Sequence, residues 1–416
     1  MRLLSLGKSK YNSSELYGCL HKCNVLVNLF EDAINILKSY KIVFKLKSSC
    51  GLVDFFEKYK TEFASDLGSK TEIQNLQLKL SKLENDNLQL TQSINDFKNI
   101  SQLRESEDFE KIYNLLKNFS EIGYKEKISL SSALKLNEKR NEHEQTPLLH
   151  SCKIGDFQLT KSLIEGGCNK DVVSKYGNNC LMVASSNGHI DIVKYLIEIG
   201  FDKDWRNKTD GFNAILFASQ EGHLEVIKYL QSIGCDVNSK TNDNSNCIYL
   251  ASSQGHLETV KYLISCGVNP NEKDNDGFNA ILNASQEGHL EVIKYLQNIG
   301  CDVNSKTNAN ANCIYLASFN GHLETVKYLI SCGVNPNEKD NDGFNAILNA
   351  SLKGHLEVIK YLLMNGCNKN DKTNTNDTSL HWAAANGHFN VVEFLVSIRV
   401  NLNEKNKDGK TALDLA

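Results

Sequence analysis

The dipeptide Gly-His recurs at an almost constant interval, and this period limits what the chain can fold into. Its glycines are Gly188, Gly222, Gly255, Gly288, Gly321, Gly354 and Gly387. A period of about 33 residues is typical of a solenoid, in which each small unit buries its apolar face only by stacking on its neighbours. Because Gly155 opens the series and residues 407–416 begin a further unit, we predict eight repeats and a truncated ninth.

Each unit is predicted to be a pair of short helices. In one unit, residues 212–220 are rich in small side chains that allow close helix packing, and residues 224–233 carry apolar residues at helical spacing. The Gly-His pair separates the two helices as a turn. The polar stretch that follows, residues 236–246, is rich in Asn and Asp, which suit turns. The interval from Gly188 to Gly222 is longer than the others by a single residue, which we place in the loop of residues 201–210 that contains Trp205.

These units resemble the ankyrin repeat. The family pattern Thr-Pro-Leu-His-x-Ala-Ala-x-x-Gly-His is matched by residues 145–148 (QTPL), by residues 378–387 (TSLHWAAANG) and by the run GHLEVIKYL that begins at Gly222. The resemblance covers residues 141–416. It implies an all-α ankyrin-repeat solenoid, built from helix-turn-helix units with β-hairpin loops.

The units depart from the family pattern at the start of the first helix. Where the family has Thr, six units have Asn, at Asn179, Asn213, Asn246, Asn279, Asn312 and Asn345. The Pro that follows in the family is Cys or Ala in most units. From this departure we expect the hairpin and the start of the first helix to be less firmly fixed.

A second, longer period lies within the array. Residues 211–276 and 277–342 are blocks of equal length that differ at only six positions: Phe217/Asn283, Ser232/Asn298, Asp243/Ala309, Ser245/Ala311, Ser253/Phe319 and Gln254/Asn320. In the ankyrin frame, five of the six changes fall at hairpin tips or on the first helix, on the face that the family uses for binding. Drift of exposed positions and diversification of a binding surface both account for this pattern.

The N-terminal third carries a heptad pattern. Its positions alternate in steps of three and four through Ile73, Leu76, Leu80, Leu83, Asn87, Leu90, Ile94 and Phe97. These heptads predict a coiled coil over residues 66–104 that joins two chains as a homodimer, and an Asn at an a position is typical of a parallel dimer. The alternative is an amphipathic helix that folds back on its own chain. We further predict a small α-helical module over residues 1–65 and a helical N-terminal cap over residues 105–140.

Charge and cysteine content narrow the class of protein. The chain has 416 residues, and its 46 Lys and Arg against 50 Asp and Glu leave a net charge of −4. That near balance counts against nucleic acid or an anionic membrane as the main partner. The 13 cysteines are odd in number and mostly repeat in register, which disfavours a secreted disulfide framework. Because no apolar stretch is long enough for a membrane span, we predict a cytoplasmic protein.

No motif for catalysis or metal binding stands out in the sequence. Histidines of stacked units are expected to lie about 10 Å apart, whereas the nitrogen ligands of one zinc ion lie about 2 Å from it. The repeating cysteines are interpreted as small buried apolar residues, and Cys19, His21 and Cys23 lack the second pair of ligands that a zinc site needs. The sequence contains no Gly-rich phosphate loop, nucleophile elbow or zincin motif. We therefore predict no catalytic, cofactor-binding or metal site.

The resemblance implies a non-enzymatic scaffold that binds a protein partner in the concave groove of the array. The residues predicted to contact the partner are Trp205, Phe217, Asp243, Ser245, Leu250, Leu316, Phe319, Leu352 and Trp382. Leu250 and Leu316 also match the repeat consensus, so a packing role stays open for them. One alternative is an adaptor that brings a bound client to an enzyme such as a ubiquitin ligase through the N-terminal helical region. Another is an enzyme whose catalytic residues the sequence does not reveal.

Overall fold

The computed structural model describes residues 108–416, together with Asn85, Leu88, Ile100, Gln102 and Leu103. The predicted module of residues 1–65 and almost all of the predicted coiled coil lie outside the described residues, so both stay predictions. Contacts divide the described chain into two compact units. One contains Leu116–Lys125 and Asn137–Ala416, and the other contains Glu126–Leu136 and the described residues before Leu116.

Two helices precede the repeats. They are α1 (Phe109–Ile122) and α2 (Lys125–Ala133), followed by a short 3₁₀ helix at Leu136–Glu138. Four apolar side chains of α1 that recur at helical spacing are all buried: Phe109, Ile112, Leu116 and Phe119. A helical pair therefore lies where the sequence predicted one, and its role as a cap of the array stays a prediction.

Eight helix pairs follow, one for each unit of the sequence period. In chain order they are α3 (Pro147–Ile154) and α4 (Phe157–Glu165), α5 (Cys180–Ser186) and α6 (Ile190–Glu198), α7 (Ala214–Gln220) and α8 (Leu224–Ser232), α9 (Cys247–Ser253) and α10 (Leu257–Ser265), α11 (Ala280–Gln286) and α12 (Leu290–Asn298), α13 (Cys313–Phe319) and α14 (Leu323–Ser331), α15 (Ala346–Lys353) and α16 (Leu356–Met364), and α17 (Ser379–Ala385) and α18 (Phe389–Ser397). We number these pairs as repeats 1 to 8 and speak of the first and second helix of each. A 3₁₀ helix, Leu413–Leu415, lies in the fragment that follows repeat 8.

Neighbouring repeats pack mainly through their first helices. Each first helix contacts the first helix of every adjacent repeat, whereas the second helices of neighbouring repeats touch at fewer points. A fully buried alanine in each of seven first helices lets the backbones approach closely: Ala184, Ala218, Ala251, Ala284, Ala317, Ala350 and Ala383. In α8 the side chains Val226, Ile227 and Leu230 are buried against the first-helix layer. Burial of each such side chain stabilises the fold by about 1.5–3 kcal/mol.

The asparagines that replace the family's Thr start the first helices firmly, so the expectation of a weaker start is wrong. Each of the six side chains accepts a hydrogen bond from the backbone N–H three residues further on, as Thr146 and Thr378 do in repeats 1 and 8. Five of them also donate through Nδ2 to the loop of the next unit. Asn246 reaches Glu272 Oε2 at 3.0 Å, and Asn312 reaches Glu338 Oε2 at 3.0 Å. Asparagine thus adds a bond between units that the hydroxyl of a capping Thr does not make.

The loops between repeats are hairpins without regular strands. Within the part of the chain that the structure describes, the β structure consists of three isolated antiparallel bridges, Lys240 with Asn246, Lys306 with Asn312, and Lys372 with Thr378. The predicted β-hairpin loops are therefore reduced to single bridges. Each bridge closes a short turn immediately before a first helix, so hairpin and helix start are fixed together.

The Gly-His turns join consecutive repeats. The ring of His289 packs on Gly255 of the preceding repeat, and its Nε2 lies 3.1 Å from the carbonyl oxygen of Ser253. A Cβ added to Gly255 would lie 2.5 Å from His289 Nδ1, and the glycine has a φ of +76°. This turn therefore requires glycine for two reasons, its backbone conformation and the close approach of the imidazole ring. The repeated histidine thus makes a packing contact between units.

The capping asparagines yield a prediction about stability. We expect Asn312→Thr to keep the helix cap and lose the bond to Glu338, lowering the free energy of unfolding by about 1 kcal/mol. Asn312→Ala loses the cap as well and is expected to cost about 2 kcal/mol. Urea denaturation followed by circular dichroism measures both. Asn179→Thr is the matched control, because Asn179 caps α5 and its Nδ2 makes no such bond to a described residue of the next loop. An equal loss of unfolding free energy in Asn312→Thr and Asn179→Thr would contradict a contribution from the bond to Glu338.

The Gly-His turn yields a second prediction. Gly267 has a φ of +88° and no atom within 4 Å of an added Cβ, so Gly267→Ala introduces backbone strain alone. We expect that variant to lose about 1 kcal/mol of stability. Gly255→Ala adds the displacement of the His289 ring and is expected to lose about 3 kcal/mol. Thermal unfolding compares the two variants, and equal midpoints would show that the ring moves aside without cost.

Candidate partner-binding surface

Successive hairpin tips are joined by a row of asparagines. The backbone N–H of Asn242, Asn275, Asn308, Asn341 and Asn374 each donates to a carbonyl oxygen of the preceding tip, over distances of 2.8–3.0 Å. Four of these side chains also donate through Nδ2 to the preceding tip, for example Asn308 to the Asn275 oxygen at 2.9 Å. We call these five residues the asparagine ladder. It was not predicted from the sequence, although an Asn recurs at this position in successive repeats.

Three tips share the sequence Asp-Gly-Phe-Asn, at residues 210–213, 276–279 and 342–345. In each, the Asp is exposed, the Phe is half-buried and the Asn caps the first helix. The glycine has a positive φ, and a Cβ on Gly277 would lie 2.5 Å from Asn308 Oδ1 of the ladder. In the intervening repeats Asn244, Asn310 and Asn376 adopt the positive φ instead. Every second repeat therefore presents a carboxylate and a benzyl ring from one fixed turn.

Aromatic rings lie where the hairpins meet the first helices. The rings of Phe212 and Phe217 have centroids 4.6 Å apart, and those of Phe344 and Trp382 are 5.1 Å apart. The Nζ of Lys353 lies 4.6 Å from the centroid of the Phe319 ring. All five aromatic side chains are half-buried, which leaves part of each ring open to a partner.

Two tyrosines outside the predicted contact set lie in the same layer. Tyr249 and Tyr315 occupy equivalent positions on α9 and α13, and both are half-buried. The hydroxyl of Tyr315 donates to Asp340 Oδ2 at 2.8 Å. Burial, followed by the nearby carboxylate of Asp274, raises the pKa of Tyr249 to about 12. Both hydroxyls therefore stay protonated at neutral pH and act as hydrogen-bond donors.

The predicted contact residues fall into two groups. Trp205 and Asp243 are exposed, and Phe217, Phe319, Leu352 and Trp382 are half-buried. Ser245, Leu250 and Leu316 are buried, with 3%, 7% and 7% of their surface exposed, so their placement on an open binding surface is corrected. Ser245 closes its hairpin through the Thr241 hydroxyl, and the two leucines are covered because first helices of neighbouring repeats approach closely.

The burial of Ser245 also bears on the duplicated blocks. Its counterpart Ala311 is buried as well, with 5% of its surface exposed, and Asn283, the counterpart of Phe217, is 4% exposed. Drift of exposed positions therefore does not account for these two differences. They change how the hairpin and first helix pack beneath the surface.

Charges along the hairpins are distributed unevenly. Three lysines bind within the array: Lys240 pairs with Glu272 at 3.1 Å, Lys306 with Glu338 at 3.1 Å, and Lys273 donates to the Lys306 carbonyl oxygen. The carboxylates of Asp210, Asp243, Asp276 and Asp342 form no ion pair with any residue that the structure describes. Four tips of this surface therefore present a carboxylate without an ion-pair partner among the described residues.

The described cysteines have the environment of packing residues. All ten are free thiols. Burial raises the pKa of Cys247 and of Cys313 to about 12, so both thiols are protonated and poorly nucleophilic at neutral pH. Across residues 108–416 no cluster of three or more His, Cys, Asp or Glu side chains could hold a metal ion. Nor does any helix in this part of the chain have the length and apolar character that crossing a bilayer requires.

A family model described as "Ankyrin repeats (3 copies)" matches residues 110–207, 215–307, 282–373 and 350–416. Together these matches cover well over half of the chain. The chain belongs to the ankyrin-repeat family. Ankyrin repeats indicate a protein–protein interaction domain. The first match begins at residue 110, inside the predicted cap, and therefore also covers most of α1 and all of α2.

Two curated proteins share short stretches with this ankyrin-repeat chain. An L-asparaginase of Dirofilaria immitis is 38% identical over 63 residues, which is 15% of this chain and 11% of that enzyme. The DNA replication inhibitor plutonium of Drosophila melanogaster is 35% identical over 60 residues, 14% of this chain and 34% of that protein. The chain thus spans about a tenth and a third of the lengths of these relatives. Neither match extends over enough of its protein to transfer an activity.

Proposed function

We propose that this ankyrin-repeat chain is a non-enzymatic scaffold that binds a protein partner along one face of its array. We call this the partner-binding face and define it by the exposed hairpin tips and the half-buried side chains of the first helices. The observation that carries the proposal is the combination of half-buried aromatic rings with tips already joined by the asparagine ladder. Aromatic side chains in such positions contribute most to binding at protein interfaces.

Fixed tips favour binding because they reduce the entropy lost on association. Each ladder asparagine contributes a backbone hydrogen bond, and four contribute a side-chain bond as well. A loop that already holds its bound conformation loses less freedom when a partner arrives. The half-buried rings of Phe217, Phe319 and Trp382 supply apolar area on the same face. The indole Nε1 of Trp382 is also buried and has no hydrogen-bond acceptor among the described residues. Packing within the array therefore leaves this donor unsatisfied.

The remaining parts of the proposal concern the whole protein. We infer that residues 66–104 form a coiled coil through which two chains associate, as their heptads predict. The free, buried thiols of the array favour a reducing compartment, and on that ground we propose a cytoplasmic protein. A protein partner, rather than nucleic acid, fits a face whose unpaired charges are mostly carboxylates.

Affinity capture with the full chain tests the partner-binding face. We expect the double variant Phe319→Ala with Trp382→Ala to lose a partner that the wild-type chain retains, because two ring contacts are removed. Phe389→Ala is the control, since Phe389 is an exposed aromatic of α18, a second helix, with 83% of its surface open. Quantitative mass spectrometry reads out the recovered proteins. If the double variant and the wild-type chain recover every partner equally, the proposal is wrong.

The same capture separates a scaffold from an adaptor. The adaptor is favoured if the full chain recovers both an enzyme, such as a ubiquitin ligase, and a client. In that case deletion of residues 1–65 is expected to lose the enzyme and keep the client. Retention of every partner in that deletion favours the scaffold.

Analytical ultracentrifugation tests the association of two chains. We expect the wild-type chain to sediment as a dimer and the triple variant Leu76→Ala, Leu83→Ala and Leu90→Ala to sediment as a monomer, because these leucines occupy the d positions of the heptads. Circular dichroism checks that the repeats remain folded in the variant. A monomer in both samples excludes the homodimer.

A further inference from the structure

We propose that the partner-binding face takes a cationic, extended segment of its protein partner, with arginine side chains seated between tip carboxylates and aromatic rings. This inference rests on the proposed function and names the chemistry of the partner. The segment is expected to lie across repeats 3 to 5, against Asp210, Phe212, Phe217, Asp243, Asp276 and Phe278.

The first step is the fixed relation between carboxylate and ring. Asn207 Oδ1 accepts hydrogen bonds from the backbone N–H of Asp210 at 3.2 Å and of Phe212 at 3.0 Å. In the next such turn, Asp274 Oδ1 accepts from Asp276 at 3.0 Å and from Phe278 at 2.8 Å. The first of these turns is one residue longer than the second, but in both an Asx side chain fixes an exposed carboxylate two residues before a half-buried ring.

The second step is the charge balance. Two lysines of these hairpins are engaged within the array: Lys240 pairs with Glu272, and Lys273 donates to a backbone carbonyl oxygen. The neighbouring tip carboxylates form no ion pair with a cation among the described residues. A segment rich in Asp or Glu, or a nucleic acid, would meet like charge at Asp210, Asp243 and Asp276, with exposed Lys208 as an opposing charge beside Asp210. A cationic segment instead gains a Coulombic attraction at each tip.

The third step is that the chain already places a cation on a ring of this face. In repeats 6 and 7 the Nζ of Lys353 lies 4.6 Å from the Phe319 centroid. The residues at the same positions two repeats earlier are Ser253 and Glu287, so in repeats 4 and 5 the ring is missing and the charge is reversed. Repeats 6 and 7 thus hold a lysine of the chain on a ring, whereas in repeat 3 the rings of Phe212 and Phe217, at other positions of the repeat, pair without a cation from the described residues.

The fourth step is the choice of arginine. A guanidinium group stacks on an aromatic face and binds a carboxylate through two parallel N–H groups, whereas a lysine ammonium is a compact, strongly hydrated charge. A site with both a ring and a carboxylate therefore favours Arg over Lys. A cation on a ring contributes about 0.5–1 kcal/mol at an exposed site.

Fluorescence anisotropy with the full chain tests the inference. The probes are fluorescein-labelled peptides in which Arg, Lys or Glu alternates with Gly, each of about twelve residues, whose extended length of about 40 Å exceeds the roughly 30 Å of three stacked repeats. We expect the Arg peptide to bind more tightly than the Lys peptide, the Glu peptide not to bind, and affinity to fall as salt is added.

The duplicated blocks supply the decisive variants. Phe217→Asn with Asp243→Ala installs the residues that the second block carries at the same positions, so the fold already accommodates them. We expect this variant to weaken binding of the Arg peptide by about tenfold. Ala309→Asp adds a carboxylate to the exposed tip of repeat 6, which borders the site and which a peptide of about 40 Å can reach, so it is expected to tighten binding by about threefold. Glu258→Gln on α10, a second helix, removes one charge elsewhere in repeat 4 and is expected to leave the affinity unchanged.

Two outcomes overturn the inference: equal affinities for the Arg and Glu peptides, or an equal loss in Glu258→Gln and in the Phe217→Asn, Asp243→Ala variant. The capture experiment keeps this separate from the proposed function. A natural partner that is lost on Phe319→Ala with Trp382→Ala but retained on Phe217→Asn with Asp243→Ala supports the scaffold and overturns the cationic segment.

Discussion

Stacking between repeats is the constraint on which the rest of this structure depends. A helix pair of about thirty residues is too small to bury an apolar core by itself, so its stability resides in the contacts with its two neighbours. The contact between His289 and Gly255 and the bond between Asn312 and Glu338 are two forms of this stacking. Both connect one unit to the next, and both recur along the array. For this reason a residue that stabilises a single unit only slightly can contribute more to stability through its contact with the next unit.

The two duplicated blocks, residues 211–276 and 277–342, show how the scaffold and its surface are separated. Their second helices and Gly-His turns are almost identical, so the stacking contacts are the same in both. Their differences change the hairpin tips and the first helices, where Asp243 is replaced by Ala309 and Ser253 by Phe319. An array of this kind can alter its surface and the packing directly beneath it while keeping the second helices and the Gly-His turns that stack the repeats.

The partner-binding face combines rigidity with chemical variety. The asparagine ladder fixes the tips through hydrogen bonds that do not involve the exposed carboxylates, which leaves those charges available. Phe212 and Phe344 follow two residues after such carboxylates, at the junction of hairpin and first helix, and pair there with Phe217 and Trp382. Binding then requires little reorganisation, so most of the contact energy is retained as affinity. Much of the positive charge of the hairpins, by contrast, is used within the array.

The sequence by itself determined the repeat number, the helix pairs and the family, because a regular recurrence of Gly-His along the whole array is a long-range signal that local ambiguity does not obscure. The ankyrin resemblance also placed Phe217 and Phe319 on first helices, where the structure has them. Only the tertiary structure decided that Ser245, Leu250 and Leu316 are buried, since their exposure depends on how closely neighbouring first helices approach. It likewise decided that the capping asparagines join units and that Lys240, Lys273 and Lys306 are engaged. Those contacts link residues about thirty positions apart in the sequence. A sequence pattern shows the spacing of residues along the chain, but it does not show which side chains come into contact.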